Sequence, residues 1–246
     1  MEVHHHAHTA RKKWTHYFWE FLMLFLAVFC GFLAEYQLEH TIEKNRGKQF
    51  MQSMVEDLLL DTSVLRYQMK LAERQISLLD SLVDLLNNQQ ISDDNITRLY
   101  MLAANSGRVV NMPFEDRTSL QLKNAGGMRL IRKKGIADSV LLYWRGIEIC
   151  GGISQRLENT NEDRSNLAGK LFHNKYYTHA NEPFAPVTGT IEGVQLISKD
   201  PRMLAEYSNS SYRMKNVLNV YKFNMQHQKD RAIRLMQQIR EAYHLE

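Results

Sequence analysis

Proline is almost missing from this chain: there are four in 246 residues, and three fall between Pro183 and Pro201. Elsewhere the backbone is free to run in long helices, since proline is the residue that breaks a helix interior most strongly. Cysteine is nearly as scarce. Cys30 and Cys150 are the only two, which excludes a disulfide framework within one chain. A lone Cys150 in the body is compatible with an oxidising compartment. Strong charge of one sign is also lacking. The net charge is +4, and three cations cancel three acids in residues 1–38, so the same excess falls on residues 39–246. That is too mild a surplus for a nucleic-acid binder. No Gly-rich phosphate loop, nucleophile elbow, paired-cysteine motif or H-E-x-x-H occurs, so no enzyme class has a positive signal. Alternating strands are missing too; 187–197 is at most a short hairpin.

What the chain does have is a long apolar run. Phe21–Ala34 is unbroken, flanked by Tyr17, Phe18 and Trp19 before and Tyr36 after. Nine of its fourteen residues are Phe, Leu or Val, contributing about −4 kcal/mol to bilayer insertion. Trp14 and Tyr36 lie about 33 Å apart along a helix, close to the hydrocarbon thickness. Glu20 and Glu35 sit at the two ends, where a carboxylate reaches the headgroups at modest cost. Residues 17–38 are therefore expected to be a transmembrane helix, with the lipid bilayer as first partner. The competing reading is a cleaved export signal. Ala34 suits the −1 position, but Phe32 would occupy −3, and Phe29 precedes Cys30 where a lipoprotein leader wants a small residue. Arg11, Lys12 and Lys13 adjoin the span and are nearly free of acids, whereas Lys44, Arg46 and Lys48 come later among Glu39 and Glu43. Proximity favours a cytoplasmic amino terminus and a periplasmic body.

Beyond the span, apolar residues repeat in alternating steps of four and three. Met51, Val55, Leu58, Thr62, Leu65, Met69, Ala72, Ile76, Leu79, Val83 and Leu86 form a seam with Thr62 its one polar member. This predicts one long helix to about Asn88. Asp200-Pro201 is a helix-start signal. It opens a second seam: Leu204, Tyr207, Ser211, Met214, Leu218, Tyr221, Met225, Gln228, Ala232, Leu235, Ile239 and Ala242. Shorter helices are expected from Asp93 or Asp94 to about Asn105, and from Pro113 to Gly126-Gly127. Another, marked by Ile136, Val140, Tyr143, Ile147, Cys150 and Leu157, is expected to be interrupted at Gly146 and Gly151-Gly152 and to continue to about Phe172. Residues 174–199 read as an extended connection. The fold class is all-α: a tail (1–16), a span (17–38) and an antiparallel helical bundle (39–246) with two long flanking helices.

The join of the span to KQFMQSMVEDLLLDT (Lys48–Thr62), with SLQLKNAGGMRLIRKKGIADSVLLYW (Ser119–Trp144) later, resembles a group of uncharacterised bacterial single-pass membrane proteins of the Bacteroidota type. The matching middle segment is Leu122, Lys123, Gly126, Leu130 and Ile131. The resemblance covers about a third of the chain. It implies a Gram-negative envelope location and no activity.

Three constellations invite a function. His4, His5, His6 and His8 stand close enough to chelate a transition metal, and neutral imidazole is a common ligand. The alternative is a polar tail that binds metal only as any His run does. Within the span, Ala27, Cys30, Gly31 and Ala34 fall on one helical face, with Glu20 two turns earlier. Such a face permits close helix approach with a polar group bonding across it; the alternative is chance spacing in a plain anchor. Arg129, Arg132, Lys133 and Lys134 form a basic run, either a solvated face or a docking surface for an acidic partner or anionic lipid. Cys150 reads as a packed thiol. His173, His179, His227 and His244 show no ligand spacing. The expectation is a non-enzymatic inner-membrane protein acting by protein–protein contact, through self-association or another envelope protein. A ligand or signal sensor working through a separate partner, or a metal-responsive protein, is the alternative.

Overall fold

The computed structural model describes residues 14–88, 91–107, 114, 117–124, 126–177 and 193–245. Its described residues form five α-helices and no strand: α1 (Trp14–Asn88), α2 (Asp93–Ser106), α3 (Arg117–Asn124), α4 (Lys134–Leu171) and α5 (Pro201–Tyr243). The chain divides into two compact units, Met1–Gln49 and Phe50–Glu246. In the first, the apolar part of α1 is long enough to cross a membrane, and none of its residues is buried.

In the second unit, hydrogen bonds fix the helix directions. Along α1 and α5 they join Asn87 to Ser208 (2.8 Å), Asp80 to Lys215 (2.6 Å) and Glu73 to Lys222 (3.3 Å). One number falls as the other rises, so the two helices are antiparallel. Asp163 with Arg213, Arg164 with Ser211 and Tyr143 with Gln228 show the same for α4 and α5. Hence α1 and α4 run in the same direction, with α5 returning against both.

The apolar seams meet in two core clusters. Met51, Val55 and Leu58 pack with Val140, Tyr143, Leu235 and Ile239. Farther along, Leu65, Ala72, Leu79, Leu82 and Leu85 pack with α2 and with Tyr207–Met225 of α5. Ten of the twelve residues of the α5 seam are buried, polar Ser211 and Gln228 among them; Leu204 and Ala242 are half-buried. The α1 seam broadens toward its end. Leu82 and Leu85 are buried there while Val83 and Leu86 are only half-buried, because α2 contributes Ile96, Leu99 and Tyr100 to the same cluster.

Three boundaries differ from the sequence reading. Helix α4 runs unbroken through Gly146, Gly151 and Gly152. Each glycine costs about 1 kcal/mol of helix propensity, but the stripe from Ile136 through Val140, Tyr143 and Cys150 to Leu157 is buried, and each large apolar side chain returns about 1.5–3 kcal/mol. Helix α3 begins at Arg117 and ends at Asn124, and a 3-10 turn, Gly127–Leu130, follows Gly126 in the left-handed region at φ 62°. Pro113 lies outside the described residues. The connection after α4 contains a 3-10 turn, Asn174–Tyr177, and an isolated antiparallel bridge between Phe172 and Leu196; residues 178–192 lie outside the description. Helix α5 starts as its Asp-Pro pair predicts, with Asp200 Oδ1 accepting the Arg202 N–H at 2.9 Å.

Candidate functional site

Three clusters of polar groups inside the second unit tie its helices together. Helix α1 carries two buried carboxylates one turn apart, Asp57 and Asp61. Asp57 lies against the start of α3. Its Oδ1 accepts from Arg117 Nη2 at 2.8 Å and its Oδ2 from the Thr118 N–H at 3.1 Å. A carboxylate there meets an unsatisfied donor of the first helical turn, where negative charge is favoured. Asp61 accepts from the Tyr143 hydroxyl at 2.5 Å, across α1 and α4. Burial, and then the neighbouring Asp61 charge, push the Tyr143 hydroxyl far above the usual phenol range. That proton stays on the oxygen, so Tyr143 is a fixed donor.

Beside this pair lies Gln228 of α5. Its Nε2 donates to the Tyr143 carbonyl at 2.9 Å, while its Oε1 is buried with no hydrogen-bond partner. The side chain occupies the space left by Gly146. A Cβ built there would overlap Gln228 Oε1 and sit 2.7 Å from Arg231 Nη1. Gly146 thus permits a close approach of α4 and α5. One turn on, Cys150 is buried; burial raises its thiol to about 11, against a small lowering from Arg231. It is a packed thiol with little thiolate at neutral pH.

The third cluster centres on Arg164, which is 2% exposed. Its Nε donates to Ser211 Oγ (3.2 Å), and its Nη2 to the Ala103 carbonyl (3.1 Å) and Ser106 Oγ (2.6 Å). The guanidinium also lies 5.3 Å from the centre of the Tyr207 ring. Each of these partners, among the described residues, is neutral. The charge is compensated by placement: Ala103 and Ser106 belong to the last turn of α2, the negative end of its dipole. Arg164 therefore staples the end of α2 to α4 and α5. Around it Tyr100 packs edge-on against Phe172 (5.0 Å) and Tyr176 (5.5 Å). The Tyr100 hydroxyl donates to the Gln195 carbonyl at 2.8 Å and accepts the His173 N–H at 2.9 Å, holding the connection after α4.

Two residues of the resemblance, Leu122 and Ile131, belong to the core cluster of Met51 and Leu58. Both are buried, Gly126 supplies the left-handed turn, and Lys123 Nζ lies 4.7 Å over the Trp144 ring. They hold the middle segment on α1. In the span, Glu20, Ala27, Cys30, Gly31 and Ala34 are all exposed on α1, and Glu20 Oε1 lies 3.0 Å from His16 Nε2, an interaction along the helix. His4, His5, His6, His8 and His179 lie outside the described residues. His173, His227 and His244 are exposed and apart; His227 stacks edge-on against Phe223 at 4.3 Å. Among the described residues no group of three or more His, Cys, Asp or Glu is placed to hold a metal ion.

An open groove of about 440 Å³ lies between α4 and α5, lined by Asp163, Asn166, Leu167, Glu206, Asn209, Ser210 and Arg213. The Asp163–Arg213 ion pair crosses it. Sequence reading missed the Asp57, Asp61 and Arg164 clusters. Their only signal was the polar interruption of the seams at Thr62, Ser211 and Gln228. Comparison of the chain with protein-family models, with curated proteins and with solved structures gives no match.

Proposed function

We propose that the chain is a membrane-anchored, non-enzymatic envelope protein whose helical body acts by contact with other proteins, as a scaffold or accessory subunit. The observation that carries this reading is the apolar stretch of α1, none of which is buried, on a chain whose second unit has a core of its own. An apolar surface of that extent demands lipid or protein cover. The buried polar groups support the same reading, because Asp57, Asp61, Tyr143 and Arg164 are each engaged in holding helices to one another. In this proposal the span sits in a bacterial inner membrane with its amino terminus inside, and its Ala27–Cys30–Gly31–Ala34 face pairs with a second copy.

Flotation of native membranes after carbonate washing tests the anchor. The protein is expected in the lipid fraction at full length, and a soluble product beginning after Ala34 would overturn the proposal. Extraction in mild detergent followed by mass spectrometry is expected to recover a stoichiometric partner or a dimer that cross-links through Cys30. The groove between α4 and α5 favours a second reading, a sensor that binds a small polar ligand. A melting temperature raised by such a ligand, with no recovered partner, is the outcome that would select it.

A further inference from the structure

We infer that the end of the body at which the chain arrives from the span docks on anionic lipid headgroups of the same bilayer. This rests on the membrane-anchored reading above. Arg129, Arg132, Lys133 and Lys134 are all exposed. Their neighbours Ile131 and Ile136 are buried in the same cluster as Met51 and Met54, so the run lies where α1 enters the body. The last turn of α5 joins it there. Lys133 Nζ donates to the Ala242 carbonyl and lies 5.8 Å from the Tyr243 ring, and Arg240 is exposed beside them. Against these five cations, the exposed carboxylates of the described α4 start and α5 end are Asp138 and Glu241. At the far ends of the same helices the signs are mixed, with Glu162, Asp163, Lys170, Asp200, Arg202 and Glu206.

Connectivity selects lipid over an acidic protein. Residues 39–49 are all that separate Leu38 from Phe50, and even fully extended they reach no farther than about 40 Å. A tether this short holds the membrane surface at high effective concentration beside the basic end. The tether carries exposed Lys44, Arg46 and Lys48 against Glu39 and Glu43, and so adds a net positive charge. Basic residues beside a span are drawn to anionic headgroups, each contributing about fivefold to partitioning. Removing three charges therefore shifts the ratio of docked to undocked bodies by about 100-fold.

The test uses the full-length protein in vesicles of phosphatidylcholine alone or with one-quarter phosphatidylglycerol. A Cys30→Ser chain carries an environment-sensitive fluorophore on Gly135→Cys, an exposed site with nothing within 4 Å of a new Cβ. A second preparation carries it on Arg202→Cys at the opposite end. Headgroup-labelled nitroxide lipid is the quencher. Quenching at position 135 is expected with phosphatidylglycerol, and it should fall several-fold in 0.5 M salt. It should also fall on neutralising Arg129→Gln, Arg132→Gln and Lys134→Gln together; Lys133 is kept because it bonds the Ala242 carbonyl. Position 202 should respond to none of these changes. Equal quenching at 135 in both lipids, or none in either, overturns the inference, and the salt series on the unneutralised chain decides it even if the triple variant fails to fold. Flotation in the same samples separates the two claims. Protein that floats without lipid-dependent quenching removes this inference alone, whereas protein that does not float removes the anchor and this inference with it.

Discussion

Two glycines of α4 with the same local conformation should respond to alanine with opposite signs. Gly152 is exposed and a Cβ there would meet nothing within 4 Å. Gly152→Ala should stabilise the body by up to about 1 kcal/mol through helix propensity. Gly146→Ala gains the same term but forces Gln228 out of its place, because the new Cβ would overlap Gln228 Oε1. Gln228 is 1% exposed and tethered through the Tyr143 carbonyl, so its displacement breaks that bond at about 1 kcal/mol and strains the α4–α5 contact by about 1–3 kcal/mol. The net effect is destabilisation by about 2 kcal/mol, or a Tm lower by roughly 4–8 °C; Gly152→Ala should raise Tm by about 2–4 °C. Thermal melts of the detergent-solubilised protein, followed by circular dichroism, measure both. In a Gln228→Ala background the Gly146→Ala penalty should vanish, a coupling of about 2–3 kcal/mol. A Gly146→Ala chain that melts above the wild type, or one whose penalty survives loss of Gln228, would refute the close-approach account.

The other clusters give shorter tests. Tyr143→Phe removes the hydroxyl that bonds Asp61 and should cost about 1.5–3 kcal/mol at pH 7 in denaturant titration; no change would mean the pair is not made. Arg164→Ala should cost about 3 kcal/mol and, unlike Tyr143→Phe, speed amide exchange in α2 first, because Ala103 and Ser106 lose their anchor. Arg164→Lys should restore less than half, since an ammonium cannot span donors placed for a guanidinium fork. Exchange that rises equally in all helices would count against the staple. Burial raises Cys150 to about 11 and Tyr221 to about 12. Both groups ionise more easily unfolded, so their contribution is intact below pH 9 and falls as pH rises from about 9 to 12, by about 2–3 kcal/mol each. Cys150→Ala should flatten the lower part of that fall, and an unchanged pH profile would show that the thiol is not buried.

Much of the bundle was legible because its cause is local and periodic. The seams on α1 and α5 alternate steps of three and four, and burial follows them at ten of twelve positions on α5 and seven of eleven on α1, since an apolar stripe has one place to go. The Asp200-Pro201 cap was legible for the same reason: it acts within one turn. Gly146 misled because glycine carries two messages. Its low propensity suggests a break, whereas here the missing Cβ makes room for a side chain 82 positions away. Asp57, Asp61 and Arg164 could not be recognised from periodicity, because their partners lie 47 to 82 residues distant and exist only once the helices have paired.

Those distant partners supply something the seams lack. Two long helices with heptad stripes can slide by seven residues and still lay apolar groups on apolar groups. The polar positions remove that freedom. If α5 slipped one heptad against α4, the guanidinium of Arg164 would face Leu204 or Leu218 instead of Ser211, and its buried Nε–H, left without an acceptor, would cost about 1–3 kcal/mol. If α4 slipped against α1, Asp61 would meet Ile136 or Cys150 in place of the Tyr143 hydroxyl. Gln228 fits opposite Gly146 and opposite no other residue of that stretch of α4, since Arg145 and Ile147 both bear the Cβ it excludes. The seams make the body helical, and the few polar groups within them choose one register from several that burial alone leaves nearly equal.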